Sequence, residues 1–177
     1  MARRQSQVME MLCAAIEMEE KEHTFFKAAA DECPNELGKE VFLAILKGES
    51  GQKEGIQKIK AAIETNGKWP DTCTLYERKQ MDVREMFFGL AQKYCKTITE
   101  GASVTDALEV GIGIESAAMD FYARHLESAT DSHERIFLGR MLEEERAHHG
   151  ILLDMQYYYQ DPGGFFMEKE HRGLDGA

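Results

Sequence analysis

Apolar residues recur every three or four positions along most of the chain, the spacing that lines one face of an α-helix. This pattern predicts four long helices. The first covers about residues 5–31 and stops ahead of Pro34; the second covers about 35–65 and stops at Asn66-Gly67, a good C-terminal signal. A third covers about 104–128, and Asp131 or Ser132 caps a fourth that reaches about residue 160. A long connection separates the second helix from the third, with a helix of its own expected over about 82–98. Short links within each pair and one long link between pairs predict an all-α four-helix bundle with a crossover. The bundle core takes about residues 5–160, and the Gly-rich tail, 161–177, carries the pair Phe165-Phe166, able to dock on it.

Each apolar stripe is interrupted near its middle. On the first helix it runs Val8, Leu12, Ala15, Glu19, Glu22, Phe26, Ala29, and on the second Phe42, Ile45, Glu49, Gln52, Ile56, Ile59, Ile63. The third gives Leu108, Ile112, Glu115, Met119, Tyr122, Leu126; the fourth gives Leu138, Met141, Glu145, His148, Leu152, Met155, Tyr159. The two halves also repeat. One offset of 96 residues (from 52 to 148) carries Glu19 onto Glu115, Phe25 onto Phe121, Phe26 onto Tyr122, Glu49 onto Glu145 and Gln52 onto His148, without a gap. Ile16 and Leu46 fall on Ile112 and Leu142, so the apolar framework repeats with the acids.

Composition narrows the class further. The 177 residues suit one domain; 43% hydrophobic residues, 30% charged residues and 3 prolines favour a soluble, mostly helical protein. A net charge of -11 argues against nucleic acid or an anionic membrane as partner, since both reward Lys and Arg. The N-terminal segment turns acidic before any continuous apolar run develops, and no run has transmembrane length, so the expected location is cytoplasmic. Cys13, Cys33, Cys73 and Cys95 form no Cys-x-x-Cys pair and read as free, mostly buried thiols.

The interruptions carry the chemistry. Packing the stripes together gathers Glu19, Glu22, Glu49, Glu115 and Glu145, with His148 beside them as the one group able to become positive. Removing a single unpaired carboxylate from water costs several kcal/mol, so five need protons or cations, and two divalent metals supply four positive charges. Carboxylate and imidazole donors suit iron or manganese, with zinc a common substitute. A Glu from each of two helices plus Glu-x-x-His from the other two is the di-iron constellation of helical bundles. Glu145 and His148 complete that motif; Glu49 and Gln52 keep its spacing with an amide in place of the imidazole. The competing reading is a set of solvated glutamates in a chain with 32 acidic residues and no metal.

The segments AIEMEEKEHTFF (15–26), VFLAILKGESGQ (41–52), GIGIESAAMDFY (111–122) and LGRMLEEERAHHGILLD (138–154) resemble the rubrerythrin branch of the ferritin-like superfamily. The resemblance spans about residues 5–160. It implies a non-haem di-iron centre held by Glu19, Glu49, Glu115, Glu145 and His148, with Glu49 and Glu145 bridging and Tyr122 hydrogen-bonded to a ligand carboxylate. It further implies reduction of hydrogen peroxide or dioxygen, electrons from an external donor such as a rubredoxin, and a homodimer. Glu49, Glu145 and Tyr122 are the residues expected to take part in turnover. Three departures stand out: Gln52 for histidine, Ala118 where the family has a further Glu, and no rubredoxin-type cysteines. Glu22 occupies the place related to Ala118 by the repeat, and either compensates for the absent imidazole or sits partly solvated at the rim. The departures favour a second reading, a protein that holds, hands on or senses iron without turnover. His23 is placed to lean toward the centre, whereas His149 points off the stripe and His125, His133 and His171 read as surface residues.

Overall fold

The computed structural model describes residues 2–71 and 102–167. The helix expected over 82–98, together with Cys73, Cys95 and His171, lies outside the described residues. Four long helices form the bundle: α1 (Ala2–Glu32), α2 (Glu36–Asn66), α3 (Ala102–Ser128) and α4 (Ser132–Gln160). Their ends follow from local chemistry. Asn35 caps α2 by accepting a hydrogen bond from the Gly38 amide, and Gly67 closes it in the left-handed region, φ 66°, with its N–H on the Ile63 carbonyl. At the start of α4, Asp131 accepts from the amides of His133 and Glu134.

Apolar packing forms two clusters in series. One joins Phe26 and Ala30 of α1, Leu37 to Ile45 of α2, Val104 and Leu108 of α3, and Ile151 to Tyr158 of α4. The other joins Val8 to Ala15, Ile56 to Ile63, Tyr122 and Ala129, and Phe137 to Leu142. The late part of α1 therefore meets the early part of α2, and likewise for α3 and α4, so each pair is antiparallel. α2 therefore ends in the second cluster, and α3 begins in the first. Trp69, at the start of the connection that follows α2, packs on Phe137 with ring centroids 5.6 Å apart, which ties it to the second cluster.

The tail docks as expected, through a helical segment over residues 162–167 that was not foreseen. Pro162 suits a first helical turn, where its missing N–H costs nothing, and the Asp161 carboxylate accepts from the Gly164 amide at 2.9 Å. Phe165 is fully buried against Tyr157 and Tyr158.

The buried seam departs from the expected stripe in places. On α3 it passes through Gly111 and Ala118, while Ile112 and Met119 flank it half-buried. A Cβ on Gly111 would lie 3.3 Å from Leu152 and Phe25 atoms, so the small residue lets α3 lie close to its neighbours. On α1 the seam reaches Ala30 rather than Ala29, and on α4 Tyr158 rather than Tyr159. An α-helix turns slightly less per residue than a strict seven-residue repeat requires, so over several turns the buried line drifts off that repeat. Cys13 is exposed and Cys33 half-buried, against the expectation of mostly buried thiols. Cys13 follows Leu12, a seam residue, and so falls off the core face.

Candidate metal centre

Between the two apolar clusters lies a polar layer to which all four helices contribute. Glu19, Glu49, Glu115 and Glu145 are fully buried, Glu22 and Gln52 are 1% exposed, and His148 is 8% exposed. Seam positions three apart on each helix set their direction: Glu19 and Glu22 on α1, Glu49 and Gln52 on α2, Glu145 and His148 on α4. The duplication is visible in the geometry. Phe25 and Phe26 meet edge-on at 5.1 Å, and Phe121 and Tyr122, their counterparts, meet edge-on at 5.2 Å.

The layer resolves into two donor groups, each with ligand atoms within 4.8 Å of one another. Glu49, Glu115, Glu145 and His148 form one; Glu19, Glu22 and Glu49 form the other, so Glu49 belongs to both. His148 turns Nδ1 inward, 2.8 Å from Glu49 Oε1 and 3.8 and 3.9 Å from oxygens of Glu115 and Glu145. Two lone-pair atoms approach to 2.8 Å only with a proton or a cation between them.

Hydrogen bonds cross between the halves. Tyr122 on α3 donates to Glu19 Oε1 on α1 at 2.6 Å, and the Gln52 amide on α2 donates through Nε2 to Glu145 Oε1 on α4 at 2.8 Å. The repeat places Phe26 where a second tyrosine would serve Glu115. Among the described residues, no hydrogen-bond donor reaches Glu19 Oε2, Glu145 Oε2, Gln52 Oε1 or either oxygen of Glu22 and Glu115. Contacts between these carboxylates need a proton, because two ionised ones repel. Burial, reinforced by the neighbouring glutamates, pushes Glu19, Glu49 and Glu145 well above the ordinary carboxylate range. Burial also pushes Glu22 up to about 7 and Glu115 up to about 8, the nearby His148 acting against it in both cases. Tyr122 is held far above its usual value by burial and by Glu19, so it stays a hydrogen-bond donor.

Five buried carboxylates with nine oxygen and amide acceptors left open suit cations of high charge, and the donor set of Glu with one His suits iron or manganese. The structure brings together every residue expected to bind metal: Glu19, Glu22, Glu49, Gln52, Glu115, Glu145 and His148. Of the two readings of Glu22, a solvated rim position is excluded: Glu22 is 1% exposed and grouped with Glu19 and Glu49, whereas Gln52 bonds Glu145. Glu22 is thus placed as an added carboxylate beside the shared Glu49, with no described contact to Gln52. His23 is half-buried and belongs to neither donor group. His125 is partly buried with its ring 4.6 Å from Phe121, and His133 is half-buried, so neither is a plain surface residue.

Sequence reasoning passed over Gly48. A Cβ there would lie 2.7 Å from His148 Nε2 and 3.0 Å from its Cε1, so the bare backbone makes room for the imidazole. The available signal was a glycine in mid-helix, which costs up to about 1 kcal/mol against alanine and is kept for a packing reason. Gly48→Ala should push the ring off its Nδ1 alignment and weaken metal binding at that position by about tenfold, the lower end for disturbing a ligand's support. Metal titration of the variant measures this, and unchanged affinity would show that the ring has other room.

No curated protein and no solved structure matches the chain. A family model described as rubrerythrin matches residues 10–156, a span that takes in part of every helix and all members of both donor groups. By that match, and with this fold, the chain belongs to the rubrerythrin family.

Proposed function

We propose that the protein is a non-haem di-iron oxidoreductase that reduces hydrogen peroxide or dioxygen. The observation that carries the reading is the pair of buried donor groups sharing Glu49. In this reading Glu19, Glu49, Glu115, Glu145 and His148 hold two iron ions, and Glu22 and Gln52 lie within the same layer. Two ferrous ions would supply the two electrons that cleave one peroxide. The chain's own groups have distinct tasks. Tyr122 fixes the direction of Glu19, and Gln52 fixes that of Glu145, so the unbonded oxygen of each stays turned to the layer. Glu49 and Glu145 would help hold the ions, and the apolar clusters on either side of the layer shield it from water. In this reading the electrons come from a donor such as a rubredoxin. A homodimer in the cytoplasm completes the reading, and none of the described helices is long and apolar enough to cross a membrane.

Gln52 favours a second reading, iron holding or sensing without turnover, because an amide in place of imidazole is a poorer donor. One experiment separates the two. Anaerobic loading with ferrous iron followed by peroxide should oxidise the bound iron faster than iron free in buffer, and Glu145→Ala should abolish the difference. Reversible iron binding with no peroxide consumed, even with an electron donor present, would select the second reading.

A further inference from the structure

The two donor groups are chemically unequal. One contains the His148 imidazole; the other, Glu19 with Glu22 and Glu49, offers oxygen alone. The inequality comes from two replacements that act in the same direction. Where the repeat would put a second imidazole stands Gln52, whose Nε2 is committed to Glu145 and whose remaining atom, Oε1, is another oxygen. The first half also carries Glu22, a buried carboxylate whose two oxygens meet no donor among the described residues, while its counterpart in the second half is the fully buried Ala118. A nitrogen donor has thus been removed from one position, and an oxygen donor has been added on the helix that bears Glu19.

Nitrogen donors favour iron, nickel, copper and zinc, whereas all-oxygen sets of carboxylate and water suit manganese and magnesium. We infer that the two positions select different metals: the His148 position retains iron against manganese, and the Glu19–Glu22–Glu49 position accepts manganese, giving a mixed-metal centre when both ions are supplied. This rests on the two-metal reading above. It changes that reading's stoichiometry, because only one of the two ions would then be iron.

The test uses the natural protein, made metal-free and equilibrated anaerobically with Fe(II) salt and an excess of Mn(II) salt. The excess offsets the generally weaker binding of manganese. Metal analysis should find one manganese and one iron per chain, and anomalous scattering at the two absorption edges of a crystal should place manganese beside Glu19 and iron beside His148. Two ions of one kind, or manganese spread evenly over both positions, would overturn the inference while leaving a two-metal centre intact. Fewer than two ions per chain in total would overturn both. Gln52→His, which restores an imidazole, should replace the manganese by iron and bring iron to two per chain. Glu22→Gln should release manganese and leave iron bound; manganese retained in that variant would also sink the inference. None of these readouts depends on turnover.

Discussion

Raising the pH from about 5 to about 8 should destabilise the metal-free protein, and adding metal should reverse the trend. The sign follows from where the protons are. Burial lifts Glu22 to about 7 and Glu115 to about 8, and lifts Glu19, Glu49 and Glu145 well above 4.5, so the folded state keeps protons that the unfolded chain gives up near 4.5. Over that window the unfolded state binds fewer protons, and stability falls as pH rises. Each unit of separation is worth about 1.4 kcal/mol per group, and all five groups act in the same direction. Because the groups repel one another once ionised, the protons come off in successive steps that belong to the cluster rather than to any one residue. Metal binds the ionised form and converts the penalty into a gain, so the loaded protein should hold or improve its stability toward pH 8. Thermal unfolding at both ends of the range, with and without Mn(II), measures the effect. A metal-free midpoint that climbs with pH would show that the layer is not buried as described.

Replacing Glu49 should cost both metal ions, whereas replacing Glu115 should cost one. Glu49 is the one residue common to the two donor groups, and its oxygens lie within reach of His148 on one side and of Glu19 and Glu22 on the other. Glu49→Gln preserves volume and removes the charge. Without a metal, that change should stabilise the fold at pH 8, because an amide costs less to bury than an uncompensated carboxylate. The loss of binding and the gain in metal-free stability are opposite in sign, which separates a ligand from a residue needed for folding. Glu115→Gln should leave the Glu19–Glu22–Glu49 group able to hold one ion. Metal analysis after dialysis against each variant reads the stoichiometry directly, and two ions retained by Glu49→Gln would remove it from the centre.

Much of this was legible in the residues, for identifiable reasons. Asn35, Gly67 and Asp131 mark helix ends by local hydrogen bonding, which needs no knowledge of the rest of the chain. The carboxylates were legible because duplication repeated them at one offset and because each interrupts an apolar stripe. The family match over residues 10–156 agrees with the resemblance read from those motifs. What escaped depends on how helices rotate and how closely they approach. Gly111 and Ala118 carry no hydrophobic signal, so the buried line of α3 was read one residue off. Gly48 matters only through a side chain on another helix, 100 residues away in sequence. Tyr122 serves a carboxylate on α1 rather than its own helix, and the direction of the Gln52 amide is set by α4. Such pairings follow from helix rotation, which hydrophobic spacing fixes only to within about one residue position.

The placement of the polar layer between two complete apolar clusters has a mechanical consequence. Apolar clusters on both sides of the layer anchor the four helices, so the layer itself adds no apolar contact to keep the bundle closed. Carboxylates there can swing between partners, and ions can enter or leave, while the helices on both sides stay anchored. The design resembles a clamp fastened at both ends, in which the span between the fasteners can be reworked without loosening the grip.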